Sequence, residues 1–201
     1  MAHKSKLIMG VDEAGRGPLA GPVTLAAILC SRKSAAIFKG IKDSKHLSPK
    51  AREKWLKKIK NHPGIFYAAT SVGPSIIDRF GISKAIRIAI ARLLRKSFGG
   101  AAVKNGRFGE QTQILLDGSL KAPAIYTQKT IIKGDEKIPV IAAASVVAKV
   151  SRDRKMVRLA GLFPQYAFDI HKGYGTRLHY KMLKKHGPCE IHRISFLSNF
   201  L

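Results

Sequence analysis

Two short apolar runs, Lys6–Val11 (KLIMGV) and Val23–Cys30 (VTLAAILC), flank a stretch of glycine and proline, Gly15–Pro22 (GRGPLAGP). Apolar runs of this length bounded by turn residues read as neighbouring strands, and no helix continues through the prolines and glycines between them. Three further runs extend the pattern: Ile65–Val72 (IFYAATSV), Gln113–Leu116 (QILL) ending at Asp117-Gly118, and Lys129–Lys133 (KTIIK) ending at Gly134-Asp135.

Helices alternate with the later strands. Ser48 and Pro49 supply a cap and a first-turn proline for a helix of about ten to thirteen residues, stopped by Pro63-Gly64. Ile82, Ala85, Ile86, Ala89, Ile90, Leu93 and Leu94 fall on one helical stripe, with Lys84, Arg87, Arg92 and Arg95 largely off it. A long helix, apolar at first and basic later, is expected from Pro139 to Leu159, and a loop at His171–Thr176 precedes a basic helix at Arg177–His186. Strands first and helices interleaved afterwards predict an α/β fold: a mixed sheet opening as an antiparallel meander, flanked by helices.

Composition narrows the function. The chain of 201 residues carries 37 Lys+Arg against 12 Asp+Glu, a formal charge of +25, yet 45% of it is hydrophobic, enough to fold as one domain. Anionic partners are implied, nucleic acid first because phosphate neutralisation releases counterions, and membrane surface second. The longest uncharged stretch near the apolar run Ile138–Ala148 is too short to span a bilayer, and Asp12-Glu13 interrupts any signal-peptide core, so a cytoplasmic protein is expected. Cys30 and Cys189 read as reduced thiols, and His171, His179, His186 and His192 lack the spacing of a zinc site.

In a chain so poor in acids, Asp12, Glu13, Asp117 and Asp135 all stand at expected strand ends. A sheet can gather such positions at one rim, where clustered carboxylates repel unless a cation sits among them. Hard oxygen ligands suit Mg²⁺ or Mn²⁺, whose shells are completed by water and substrate phosphate. Two simpler readings stand beside this one. Asp-Gly is a common turn, and adjacent Asp-Glu side chains on a strand point to opposite faces unless the strand ends or bends. Gly15-Arg16-Gly17 is not a dinucleotide fingerprint, because the next glycine, Gly21, comes one residue late; it suggests a backbone open to close approach by a ligand, or a tight turn.

As a set, DEAGRGPLAGPV (Asp12–Val23), DSKHLSP (Asp43–Pro49), LLDG (Leu115–Gly118), KGDEKIPVIAAASVVAKVSRDR (Lys133–Arg154) and HKGYGTRLHYKMLKKHGPCEIHRISF (His171–Phe196) resemble bacterial-type ribonuclease HII, from about Leu7 to Phe200. The resemblance implies a ribonuclease H-like catalytic domain over residues 1–201, with about 160–201 as a helical, substrate-contacting C-terminal extension. It implies an endonuclease that cuts the RNA strand of RNA–DNA hybrids, and duplex DNA 5′ to an embedded ribonucleotide, leaving 3′-hydroxyl and 5′-phosphate ends. Asp12, Glu13, Asp117 and Asp135 would hold two Mg²⁺ or Mn²⁺ ions when substrate is bound. Gly15, Arg16 and Gly17 would meet the ribose 2′-hydroxyl, and Tyr174 would pack on the next, deoxy, sugar.

Lys45, Lys149 and Ser151–Arg154 are candidate phosphate contacts, with Lys45 favoured by its place in the Asp43-Ser44-Lys45 turn. A monomer is the simplest expectation, and Ser198–Leu201 offers no segment like a clamp-binding tail. Two alternatives remain: a ribonuclease HIII-like enzyme, which normally has an N-terminal domain for which no room precedes residue 12, and a non-catalytic basic RNA-binding protein, which has no need of four strand-end acids.

Overall fold

In the computed structural model, which describes residues 7–99 and 112–198, β1 spans Leu7–Ala14, β2 Val23–Ser31 and β3 Ile65–Val72. Lys6, where the first strand was expected to begin, and residues 199–201 at the end of the chain lie outside the described residues. The three strands form an antiparallel meander; β4 (Thr112–Asp117) and β5 (Gln128–Ile131) then add parallel to β1, giving the order β3-β2-β1-β4-β5. The mixed sheet expected from the order of elements is therefore the one that forms.

Helices cover both faces. α1 (Pro49–Lys60) starts where the sequence indicates, with Ser48 Oγ accepting from the Ala51 amide. α2 (Pro74–Phe98) is broken at Gly81, whose φ of 77° an L-residue rarely adopts, and its apolar stripe begins directly after the break. It packs on Met9, Val11, Leu25 and Ile114, whereas α1 and α4 (Pro139–Leu162) pack on Ile8, Ala26 and Ile28. Alternation along β1 thus assigns Ile8, Gly10 and Asp12 to the α4 side and Met9, Val11 and Glu13 to the α2 side.

Two boundaries differ from the sequence expectation, and both matter to the acids. β1 does not end before Asp12: it continues through Asp12 and Glu13, which pair with Ala26 and Leu25 of β2, because the β2 ladder supplies partners beyond the apolar run. β5 stops at Ile131, and Asp135 lies in the first turn of a short helix, α3 (Gly134–Lys137), entered through Lys133 in the left-handed conformation at φ 54°.

Beyond α4, the turn Pro164–Tyr166, α5 (Phe168–His171) and α6 (Arg177–His186) form a small helical segment. Tyr166, Phe168 and Met156 pack with Ala20 of the β1–β2 connection, so this segment is tied to the glycine-rich loop. Among the described residues no helix is long and apolar enough to cross a membrane.

Candidate active site

β1 and β4 run parallel with Val11 opposite Leu116, so the next residue of each strand, Asp12 and Asp117, stands at the same end of the sheet. Both project toward the α4 side, and α3, which leads into α4, brings Asp135 to them. One carboxylate oxygen from each of Asp12, Asp117 and Asp135 lies within 4.8 Å of the other two. Asp117 Oδ1 also accepts from the Gly134 amide at 2.6 Å and the Asp135 amide at 3.4 Å, which fixes the first turn of α3 against β4.

Such crowding is electrostatically costly. Burial, then the charges of Glu13 and Asp117, hold the Asp12 carboxyl well above the usual carboxylate range, although the Glu13 amide and Ser145 donate hydrogen bonds to it. Asp135 is raised by burial and by Asp117 and Asp43, against the pull of Lys45. Divalent cations would relieve this repulsion, and the donor set is all oxygen, as hard cations require.

Glu13 is the one predicted acid that does not join the trio. As the neighbour of Asp12 on a continuous strand it starts from the opposite face, and its Oε1 pairs with Arg16 Nη1 at 3.1 Å. Its other oxygen, Oε2, is buried with no hydrogen-bond partner, as a carboxylate awaiting a ligand would be. The acids therefore fit a divalent-metal centre: three oxygens gathered, and a fourth buried without a hydrogen-bond partner.

Around them lies a cleft of about 250 Å³ lined by Asp12, Glu13, Asp117, the Ala14–Gly17 loop, Ser44, Lys45, Ser145, Lys149 and Tyr174. Lys45, 75% exposed at its side chain, extends its ammonium to 3.4 Å from Asp135 and 3.7 Å from Asp43. Partial burial opposes its charge, but Asp43, Asp135 and Asp12 outweigh that and raise its pKa. Asp43, a fifth acid close by, is buried and caps the Ser44–His46 turn by accepting from the Lys45 amide. Ser44 meets Ser145 of α4 at 2.7 Å, joining that turn to the helix behind Asp12.

The glycine-rich loop is held from behind by two buried arginines. Arg193, 0% exposed, donates from Nη2 to the Gly15 carbonyl at 2.6 Å, from Nη1 to Arg16 at 2.9 Å and from Nε to Gly21 at 3.0 Å. Arg152 donates to the carbonyls of Pro22 and Ala20. Burial, with Arg152 adding like charge, lowers Arg193 to about 9, so this clamp remains charged at neutral pH. Gly15 has φ 89°, and a Cβ there would lie 1.9 Å from Arg152 Nε, which is why this position takes glycine.

These contacts correct the expectation that Arg152 touches phosphate: its guanidinium faces the protein's own carbonyls. Arg154 is also engaged, forming a two-pronged pair with Glu53, and Lys149 pairs with Asp153 at 2.9 Å while lying over the Tyr174 ring. Tyr174, 41% exposed, presents its ring to the cleft with Arg152 on its inner side.

Behind Tyr174 sit three buried imidazoles. His171 stacks on His179 at 4.3 Å, and His179 Nε2 meets His192 Nε2 at 3.0 Å. They do not form a zinc centre, since each ring nitrogen is engaged by backbone or by the other histidine. Burial lowers His179 and His192 to about 4. Their folded pKa values lie below the unfolded value, so the unfolded chain takes up protons first as pH falls. The stability they contribute is complete above about pH 6.5 and disappears toward pH 4, a loss of roughly 2 kcal/mol per imidazole at pH 5. Urea midpoints at pH 7 and pH 5 should show this drop, reduced in His192→Phe; a midpoint loss of equal size in that variant would assign the effect elsewhere.

Sequence reasoning passed over Asp43, Ser145, Arg193 and the role of the histidines. All of these residues lie inside the family-like segments, but a motif does not say which way a side chain faces. Buried arginine has no local signature at all.

The family model for ribonuclease HII matches residues 9–199. The ribonuclease HII of Caldicellulosiruptor bescii is 46% identical over 98% of this chain and 89% of its own length, and that of Burkholderia thailandensis 41% identical over 95% and 83%. Among solved structures, the ribonuclease HII of Archaeoglobus fulgidus, determined in complex with PCNA, superposes with a TM-score of 0.68 at 25% identity over 94% of each chain. A ribonuclease HIII (Bst) determined with Mn²⁺ shares the fold at a TM-score of 0.65 and 20% identity, covering 92% of this chain and 64% of that one.

Proposed function

Because the chain belongs to the ribonuclease HII family, and so to the nucleases of RNA–DNA hybrids, we propose that it also cuts duplex DNA on the 5′ side of a single embedded ribonucleotide, using two Mg²⁺ or Mn²⁺ ions. The observation that carries this reading is the meeting of Asp12, Asp117 and Asp135 oxygens within 4.8 Å at a cleft shared with Gly15–Gly17 and Tyr174.

Asp12, Asp117 and Asp135 would hold the ions, and Glu13 would contribute its unpartnered Oε2. Bound divalent ions supply Lewis-acid charge neutralisation at the scissile phosphate. Lys45 sets its exposed ammonium against a phosphate next to the acids, which is why a lysine is placed among carboxylates. The Gly15-Arg16-Gly17 backbone, already held rigid by Arg193, meets the ribose 2′-hydroxyl, the group that separates RNA from DNA. The Tyr174 ring lies on the following sugar, where an added hydroxyl would be desolvated without a partner. The 2′-hydroxyl serves recognition and is not the nucleophile. The helical segment from about residue 160 onward extends the contact along the duplex, within a single catalytic domain.

Product mapping on a duplex with one ribonucleotide tests this directly, with Mg²⁺, with Mn²⁺ and without metal. The expected products are a 3′-hydroxyl and a ribonucleotide bearing 5′-phosphate, formed only with metal. A 2′,3′-cyclic phosphate, or metal-independent cutting, would refute the scheme; binding without any cleavage would favour the non-catalytic alternative.

A further inference from the structure

The three histidines behind Tyr174 are not catalytic, since His179 and His192 are buried and none of the three lines the cleft. Their hydrogen bonds nevertheless run in one direction. The Cys189 amide can only donate, and it lies 2.9 Å from His192 Nδ1, closer than the Cys189 carbonyl at 3.3 Å. His192 Nδ1 is therefore the acceptor, and a neutral His192 carries its proton on Nε2. That proton points at His179 Nε2, 3.0 Å away, which must then be unprotonated. His179 in turn carries its proton on Nδ1 and donates it to the Tyr174 carbonyl at 2.9 Å. Each ring makes one donation and one acceptance along this path, and the Cys189 thiol, 3.1 Å from His192 Nδ1, can donate to the same unprotonated nitrogen.

The surroundings keep this chain neutral and stiff. His171 stacks on His179 while accepting from the Gly173 amide and bonding the Tyr166 carbonyl, so the backbone on both sides of Tyr174 is tied to an imidazole. Phe168 and Tyr166 close the rings from the sides. His192 itself is fixed to the glycine-rich loop by its bridge to Ala20, and its neighbour Arg193 grips Gly15 and Arg16.

We propose that His192 and His179 form a tautomer-defined relay that positions Tyr174 relative to the Gly15–Gly17 loop, making them positioning residues for recognition of the ribo–deoxy junction. The relay links the two halves of the junction reader: His192 sits beside the loop that meets the ribose, and two hydrogen bonds later the chain ends on the residue that meets the next sugar. This rests on the sugar-reading role given to Tyr174 above, and the experiment separates the two.

Long-range ¹H–¹⁵N correlation of the imidazoles at pH 7 reads the relay in the wild-type protein. His192 should appear as the Nε2–H tautomer and His179 as the less common Nδ1–H tautomer. The opposite tautomers, or a charged ring, overturn the relay. Kinetically, His192→Phe keeps the ring packing and removes both hydrogen bonds. It should lower the ratio of kcat/KM on a single-ribonucleotide duplex to that on a uniform RNA–DNA hybrid by about tenfold, the worth of one such bond. Tyr174→Ala should lower the same ratio at least as far, and the double variant no further. A merely structural role would reduce both substrates in proportion and leave the ratio unchanged, which overturns the inference if Tyr174→Ala does shift it. If Tyr174→Ala leaves the ratio unchanged, the sugar-reading role itself fails, and the relay has nothing to position.

Discussion

Replacing Asp12 with asparagine is expected to lower turnover by at least about a thousandfold while making the metal-free protein more stable. The opposite signs come from one cause. Asp12 is 4% exposed beside Glu13 and Asp117, and its carboxyl is held well above its usual range by burial and by those charges. Its folded pKa exceeds its unfolded one, so at neutral pH the charged form opposes folding, increasingly so as pH rises from the unfolded pKa toward the folded one.

Asparagine retains an oxygen for the Glu13 amide, now 2.7 Å from Asp12 Oδ1, and removes the charge. It also removes a ligand from the trio, so the thermal shift that Mg²⁺ or Mn²⁺ produces in the parent should shrink sharply. Asp135→Asn should cost comparable activity with a smaller gain in stability, because Lys45 already offsets that carboxylate at 3.4 Å. Melting curves with and without metal, beside single-turnover cleavage, check each part. Unchanged turnover in either variant removes that residue from the site.

The second large effect is expected at a residue with no side chain. Gly10→Ala should destabilise the fold by about 3 kcal/mol or more and cost the surviving folded protein at least about a hundredfold in activity. A Cβ on Gly10 would lie 2.3 Å from the Val140 carbonyl oxygen and 2.5 Å from its carbon, both backbone atoms of α4 that cannot rotate away. The helix must move off the sheet. α4 carries Ser145, which supports Asp12, and its start is joined to α3, which carries Asp135. A shift of α4 therefore separates acids that now meet within 4.8 Å. Urea unfolding and cleavage rates per folded molecule measure the two effects; a stable, fully active Gly10→Ala protein would show that α4 does not set the spacing of the trio.

Much of the framework could be read along the chain. The bounds of Ile65–Val72 and Arg177–His186 match their elements residue for residue, and Ser48-Pro49 opens α1. Asp12, Glu13, Asp117 and Asp135 stand out in the sequence because acids are scarce in this chain and all four stand at expected strand ends. Where those side chains point was less legible. Glu13 sits beside Asp12 but falls on the other parity of β1 and pairs with Arg16, a distinction that depends on β1 continuing past its apolar run.

Local order, meaning strands, helices, caps and the residues at their ends, follows from periodicities of two and 3.6 residues, and neighbouring residues suffice to express it. Tertiary structure alone decided which of the many cations became internal supports. Arg152 and Arg193 reach carbonyls of the glycine-rich loop 130 to 178 residues away in sequence, and the same basic residues would otherwise read as contacts for phosphate. Likewise His179 and His192 lie 13 residues apart, with no spacing that announces their shared proton. Pairings of this kind depend on where a distant backbone leaves an unmatched carbonyl or a buried ring, and that is determined only once the sheet, α4 and the C-terminal segment have packed together.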